Sequence, residues 1–295
     1  MPASPTPSSP RGPSAAPDED SNDHQRAGIQ SVEGGFELLK ALSDAPGALM
    51  LRDLAANAGM SAAKAHRYLV SFQRMGLVVQ DPVSTRYDLG PAALRLGLAS
   101  LARIDAVKLA RERIPALLGE TGHTLAIAVW GNQGPTMVHW AEAPQSVPVT
   151  LRLGDVMPLL TSATGRCFAA FMPAEGRDGE RIPAMIREEL ARLKQLPQPG
   201  QPLVDVPQSP ADVQALLQDT RHQGLGRVVH SLLPGVGGFC APVLDAQGRL
   251  ALGLVVLGSV ATLDTGWQGT PATALLACAR QLSTDLGYRA DTPPR

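Results

Sequence analysis

The chain has 295 residues, 44% of them hydrophobic, a formal net charge of −1 and three cysteines. That length suggests about two domains at ~150 residues each, with apolar material enough for a core in both. A near-neutral balance excludes a generally basic, nucleic-acid-coating protein, so any DNA contact must be local.

The longest apolar run, residues 250–263, is broken by Gly253, Gly258 and Ser259. It falls short of the ~20 residues of a membrane span and reads as a buried strand, so no membrane partner is expected. No signal-peptide pattern opens the chain. Cys167, Cys240 and Cys278 are widely spaced among apolar residues. They fit packing roles in a reducing cytoplasm better than disulfides or a metal site, and a soluble cytoplasmic protein is the expectation.

In chain order, residues 1–28 are dominated by Pro and Ser in their first half, and the acidic DEDSND follows. Without apolar periodicity they are expected to be a disordered tail. Residues 29–90 read as a winged helix-turn-helix. Its first helix, over 31–42, has Val32, Phe36, Leu39 and Leu42 set inward. The Gly34–Gly35 pair weakens its start by ~1 kcal/mol per glycine relative to alanine.

Residues 51–68 then give two short helices at a tight turn. Leu54, Ala55 and Ala58 form one apolar face, and Gly59 stands where a left-handed helix end places its glycine. Ser61 offers a hydroxyl cap to the second helix, in which Ala65, Tyr68, Leu69 and Phe72 face inward. This is the helix-turn-helix pattern, whose second helix is a candidate reader of the DNA major groove. From 61 to 75 that helix carries Lys64, Arg67, Arg74 and His66 and no acid. A solvated charged face is the competing reading of the same cations. Two β-prone runs, LVVQ and RYDL, flank the turn-forming DPVST and make a hairpin. Directly after a reading helix such a hairpin is a wing, with Arg86 near its tip; a purely structural hairpin is the alternative.

Residues 91–119 read as one long linker helix with apolar residues on more than one face, which suits pairing with a second subunit. Residues 120–289 mix strands and helices, and 290–295 form a short tail. Strands are predicted at 123–130 and 135–143, joined by GNQG, then at 147–153, 225–233, 237–245 and 250–258. Helices are predicted from Thr161 or Ser162 onward, at 181–196, 210–224 and 271–286. The class is α+β around an antiparallel sheet.

No enzyme motif stands out, and neither a catalytic residue nor a metal site nor a cofactor is expected. The histidines lack metal-ligand spacing. Cys240 and His230 could meet on neighbouring strands as nucleophile and base, though a buried structural cysteine accounts for Cys240 more simply. GVGG at 235–238 leads into a strand, without the helix N-terminus that phosphate binding needs.

Five segments resemble the IclR-type transcriptional regulators over residues 31–288. They are the opening SVE helix, DLAANAGMSAAKAHRYL, the YxLG at 87–90, the LRxGxxxPLxxxAxGR-like stretch at 151–166, and APVLDAQGRL at 241–250. The resemblance implies a winged-helix domain, a linker helix and a GAF-like effector domain, assembled as a homodimer or a dimer of dimers. It implies operator DNA and a small-molecule effector as partners, the effector altering operator binding. Matched to the family's ligand positions are Ala163, Thr164 and Gly165 at a helix start, Gly238 and Cys240, and Val255 and Leu257 on the late strands.

The chain departs from the family in having Gly34 where an Arg is usual, and Met60-Ser61-Ala62-Ala63 at the turn into the reading helix. Ala62 and Ala63 can make only apolar contacts, for instance with thymine methyls. Lys64, His66 and Arg67 are the candidates for the groove, and Ser61 and Arg86 for phosphates. Where relatives that bind small oxoacids carry polar side chains, this chain has Val228, Gly238, Val255 and Leu257. The expected effector is therefore an apolar, aromatic acid, its carboxylate at the helix start; plain core packing is the competing reading. Two other classes fit less well: a ligand-binding protein using the helix-turn-helix for protein contacts, and an enzyme using the C-terminal pocket.

Overall fold

The structure, a computed structural model, describes residues 29–101, 103–143, 151–176, 178–195 and 205–289. The expected disordered tail at 1–28 and the short tail at 290–295 lie outside the described residues. The chain divides into two compact units, Met1–Arg103 and Ile104–Arg295.

In the first unit, helices α1 (Gln30–Asp44), α2 (Leu51–Asn57) and α3 (Ala62–Arg74) are followed by the antiparallel pair β1 (Val78–Gln80) and β2 (Tyr87–Leu89), then by α4 (Pro91–Leu101). Their core joins Leu38, Leu42, Leu54, Ala55, Ala65, Leu69, Val78 and Tyr87. The turn between α2 and α3 is built as its sequence predicts. Gly59 takes φ +63°, and the Met60 amide returns to the Ala55 carbonyl at 3.0 Å. The hairpin also matches the expectation, with Val78 opposite Leu89 and Gln80 opposite Tyr87.

The inward face of α1 matches only at its end, where Leu42 is buried and Leu39 packs against the core. Gly35, Leu38 and Leu42 face inward, while Val32 and Phe36 stand 65% and 62% exposed. The glycine sits in the seam: a Cβ at Gly35 would lie 3.0 Å from Phe72 Cζ and 3.4 Å from Tyr68 Cδ1. The large side chains of α3 fill the contact, so the small residue belongs on α1.

The expected linker helix over 91–119 is two helices, α4 and α5 (Ala106–Thr121). Asp105 is extended, and its carboxylate accepts from the Lys108 amide at 3.0 Å, which caps a new helix start. In the sequence pattern this acid reads as an interior surface residue.

The second unit continues with β3 (Thr124–Gly131), β4 (Gly134–Ala141), α6 (Ala163–Phe171), α7 (Ile182–Gln195), α8 (Pro210–Gln223), β5 (Gly226–Val229), β6 (Val236–Leu244), β7 (Leu250–Ser259) and α9 (Thr270–Asp285). Its five strands form one antiparallel sheet in the order β4-β3-β7-β6-β5. Period-two alternation divides the strand residues between two faces. Leu125, Ile127, Phe239, Ala241, Leu254 and Val256 pack under α5 and α9. Ala126, Ala128, Cys240, Val255 and Leu257 pack against Cys167 and Phe168 of α6, and α7 and α8 cover α6 from outside.

Two strand expectations change. Of the predicted strand at 147–153, residues 147–150 lie outside the described residues and 151–153 are not in the sheet. Instead Gly154, Asp155 and Met157 run along β4, with Met157 N donating to Pro135 O at 2.7 Å. The strand read over 225–233 stops at Val229. There His230 takes φ +57°, and the chain turns back with Gly235 N donating to His230 Nδ1 at 2.9 Å.

Candidate functional site

Two candidate sites follow from this framework, one in each unit. On α3 the Ser61 hydroxyl accepts weakly from the Lys64 amide, at 3.4 Å, and caps the helix start. Ser61, Ala62, Ala63, Lys64, His66 and Arg67 are all exposed, opposite buried Ala65 and Leu69. The helix has no acid, so its outer face is a local positive surface on a near-neutral chain.

Arg86 directly follows the hairpin tip and is exposed, and its Nη1 donates to the Ala48 carbonyl at 3.0 Å in the segment before α2. The tip belongs to Asp81–Thr85 and its exposed Val83. Asp81 shapes that tip by accepting from Ser84 N at 2.6 Å, Ser84 Oγ at 2.8 Å and Val83 N at 3.1 Å. These bonds, the Ser84 amide foremost, hold its carboxyl below the usual range.

In the second unit an apolar cavity opens between the start of α6 and the sheet. Its empty space, mouth included, is about 450 Å³, of which about 40 Å³ admits the centre of a water-sized sphere. Of the expected residues, Ala163, Thr164, Gly238, Val255 and Leu257 line it, as does Val228. Gly165 and Cys240 do not. A Cβ at Gly165 would lie 1.9 Å from the Pro158 carbonyl oxygen, so this glycine lets the helix start seat on the preceding corner. Cys240 is buried in the sheet–α6 core, its thiol against that of Cys167. Burial, with a hydrogen bond to Cys240, holds the Cys167 thiol well above its ordinary value.

Met137, Met157, Leu232 and Leu233 also line the cavity and were not foreseen. The two methionines come from an edge strand and the segment beside it, and the leucines from the turn after β5; only the three-dimensional pairing brings them together. Methionine side chains repack readily, which lets so narrow a space widen around a guest.

Polar groups gather at the α6 end of the cavity. Ser162 Oγ accepts from Gly165 N at 2.8 Å and donates to Pro158 O at 2.7 Å. The amides of Ala163 and Thr164 have no acceptor among the described residues. The Thr164 side chain is 1% exposed, lines the cavity and has no hydrogen bond among the described residues. A helix start with free N–H groups beside a hydroxyl donor suits a carboxylate.

Two buried charged side chains hold this corner. Glu189 of α7 accepts from Leu159 N at 2.6 Å and Leu160 N at 3.0 Å. Arg166 of α6 donates through Nε to Leu160 O at 2.8 Å, and through Nη1 to Arg227 O at 2.7 Å and Asp205 Oδ2 at 2.6 Å. Its Nη2 donates to the Asp205 carbonyl. Burial draws the guanidinium's pKa down from its ordinary value, and Asp205 opposes that.

His230 and Cys240 are not brought together. Cys240 lies opposite Gly226 in the sheet, while His230 lies past the end of β5 and accepts from Gly235. Among the described residues no group of three or more His, Cys, Asp or Glu is placed to hold a metal, and no helix is long and apolar enough to cross a membrane.

Comparison with known proteins bears on both units. The model of the IclR helix-turn-helix domain matches residues 31–82, and that of the bacterial transcriptional regulator IclR C-terminal domain matches 98–284. The glycerol operon regulatory protein of Streptomyces griseus is 31% identical over 267 residues, covering 88% of this chain and 97% of its own. The HTH-type transcriptional regulator BhcR of Paracoccus denitrificans is 25% identical over 268 residues, covering 91% of each chain. The crystal structure of Pseudomonas aeruginosa HmgR is 38% identical, with a TM-score of 0.77, covering 89% of this chain and 100% of that one.

Proposed function

The chain belongs to the IclR family of bacterial transcriptional regulators, and from that premise we propose a sequence-specific DNA-binding regulator whose operator affinity is set by a small apolar acid. Relatives over nearly their whole length are transcriptional regulators, and α3 presents an acid-free cationic face at the reading position. The observation that carries the effector reading is the cavity itself. Its walls are methionine, leucine and valine, and its polar donors lie at one end, on the α6 start. An aromatic or branched aliphatic acid matches both ends. Burying about 100 Å² of such a molecule contributes about 2.5 kcal/mol, and the helix start orients its carboxylate.

Operation on DNA is as a homodimer or a dimer of dimers in the cytoplasm, with no catalytic step. The apolar outer faces of α1 (Val32, Phe36) and α4 (Leu94, Leu96, Leu98) are exposed within the first unit and support pairing. An effector acts only through unequal affinity for DNA-competent and DNA-incompetent states.

The test is a thermal-shift panel of aromatic, branched aliphatic and glyoxylate-sized acids, followed by fluorescence anisotropy on DNA from upstream of the gene. Stabilisation by the apolar acids, with a change in DNA affinity, is the expected result. Stabilisation by the small polar acids alone would sink the effector reading. Equal affinity for operator and scrambled duplex would sink the DNA reading.

A further inference from the structure

We propose that the second unit carries another ligand site, separate from the apolar cavity: a pocket for a small oxyanion of the carboxylate or phosphate class, bound by Arg227 of β5. The pocket is open to solvent, with about 960 Å³ of empty space, mouth included, of which about 460 Å³ admits the centre of a water-sized sphere, between β5, α8 and the segment that holds Trp267. Five charged side chains line it, and three are already engaged. Arg166 is paired with Asp205 at 2.6 Å. The Asp212 carboxylate accepts from Gln208 N and Ser209 N at 3.0 and 2.9 Å, completing the α8 capping box. Asp219 and Arg227 make no ion pair among the described residues, and Asp219 is exposed at the mouth.

Arg227 is the group that lacks what its chemistry demands. Its Nε is shut off from water and has no hydrogen-bond partner. Its guanidinium carbon lies 5.0 Å from the centre of the Trp267 ring, over the ring face. The indole holds the cation in place but accepts none of its N–H groups in the way an oxygen does. An Nε–H withdrawn from water without an acceptor carries an unrelieved desolvation penalty, on a side chain that is otherwise half-buried. Its fork of donors fits the two oxygens of a carboxylate or phosphate. Asp219 at the mouth repels a dianion more than a monoanion, so a carboxylate is preferred to phosphate.

The site is one side chain away from the apolar cavity. Arg166 donates to the Arg227 carbonyl at 2.7 Å and to the Leu160 carbonyl at 2.8 Å, and so joins the strand that carries the oxyanion to the corner that starts α6.

The experiment is calorimetric titration of the full chain with sodium acetate and with inorganic phosphate, at constant ionic strength set by chloride. Parent protein should bind both saturably at millimolar concentration, acetate the more tightly. Arg227→Gln should weaken acetate by about tenfold or more. Asp219→Asn, a change at an exposed side chain, should tighten phosphate more than acetate. No saturable binding by the parent, or parent-like binding by Arg227→Gln, overturns the proposal. If Arg227→Gln does not fold, unchanged phosphate affinity in Asp219→Asn overturns it.

Discussion

Replacing Glu189 tests whether the corner before α6 is held as the structure places it. Its side chain is buried, and its two oxygens accept from adjacent amides at 2.6 and 3.0 Å. Glu189→Ala removes two charge-assisted bonds, each contributing about 1.5–3 kcal/mol, and strands two N–H groups among Leu159, Leu160 and Leu190. Release of the carboxylate from its own buried position offsets part of that loss. The net is about 3 kcal/mol, which for a unit of this size lowers Tm by roughly 6–12 °C. All three tryptophans, Trp130, Trp140 and Trp267, belong to the second unit, so tryptophan emission on heating, excited where tyrosine does not absorb, follows that unit alone. Glu189→Gln keeps one acceptor oxygen and should lose about half as much. A fall of less than about 2 °C in Glu189→Ala would refute the reasoning, because an unpaired buried amide pair cannot be that cheap.

Arg67→Ala should weaken operator binding by about tenfold and, if the contact is to phosphate, reduce the salt dependence by about one unit of slope. Anisotropy over a salt series reads both, and an unchanged affinity would remove α3 from the interface. Gly165→Ala places a Cβ 1.9 Å from the Pro158 oxygen and 2.5 Å from Leu159 Cα, and should cost at least ~1–3 kcal/mol in the second unit. Gly97→Ala, in the interior of α4 with nothing within 4 Å, should instead add about 0.5–1 kcal/mol to the first. Denaturant unfolding checks the pair, and equal effects would contradict the packing at Gly165.

Legibility followed the range of the interaction. The turn between α2 and α3 was readable because Gly59 and Ser61 act on backbone within four residues of themselves. The strands were readable because their two faces are both apolar and alternate between large and small side chains, as in Leu125-Ala126-Ile127-Ala128. The phase of α1 was misread because apolar spacing favours Val32 and Phe36, whereas the seam is completed by rings supplied from α3 across Gly35. The linker break at Asp105 was hidden because a cap and a surface acid look alike in sequence. Five of the seven expected effector residues do line one cavity. The polar frame was out of reach: Glu189 acts on amides 29 and 30 residues away, and Arg166 on a carbonyl 61 residues away.

That frame decides how a guest in the apolar cavity can be felt elsewhere in its unit. Apolar walls of methionine and leucine yield locally and pass little on, since each contact is weak and non-directional. The corner at Pro158–Ser162 is different. Ser162, Glu189 and Arg166 fix its carbonyls and amides by directional bonds to α6, α7 and β5, several of them buried. On the proposed effector reading, a carboxylate taking up the free amides of Ala163 and Thr164 would pull on the residues those bonds restrain. Any shift at the α6 start therefore has to move Glu189 on α7 or Arg166 toward β5, the four-residue edge strand held on one side only by β6. On the same reading, an apolar guest without a carboxylate is expected to fill the cavity and leave the corner untouched. Binding and switching are thus separable by chemistry. The neutral amide of a stabilising acid should bind through its apolar part, yet leave DNA affinity where it was. If the amide shifts DNA affinity as strongly as its parent acid, the signal runs through the walls and the polar corner is only scaffold.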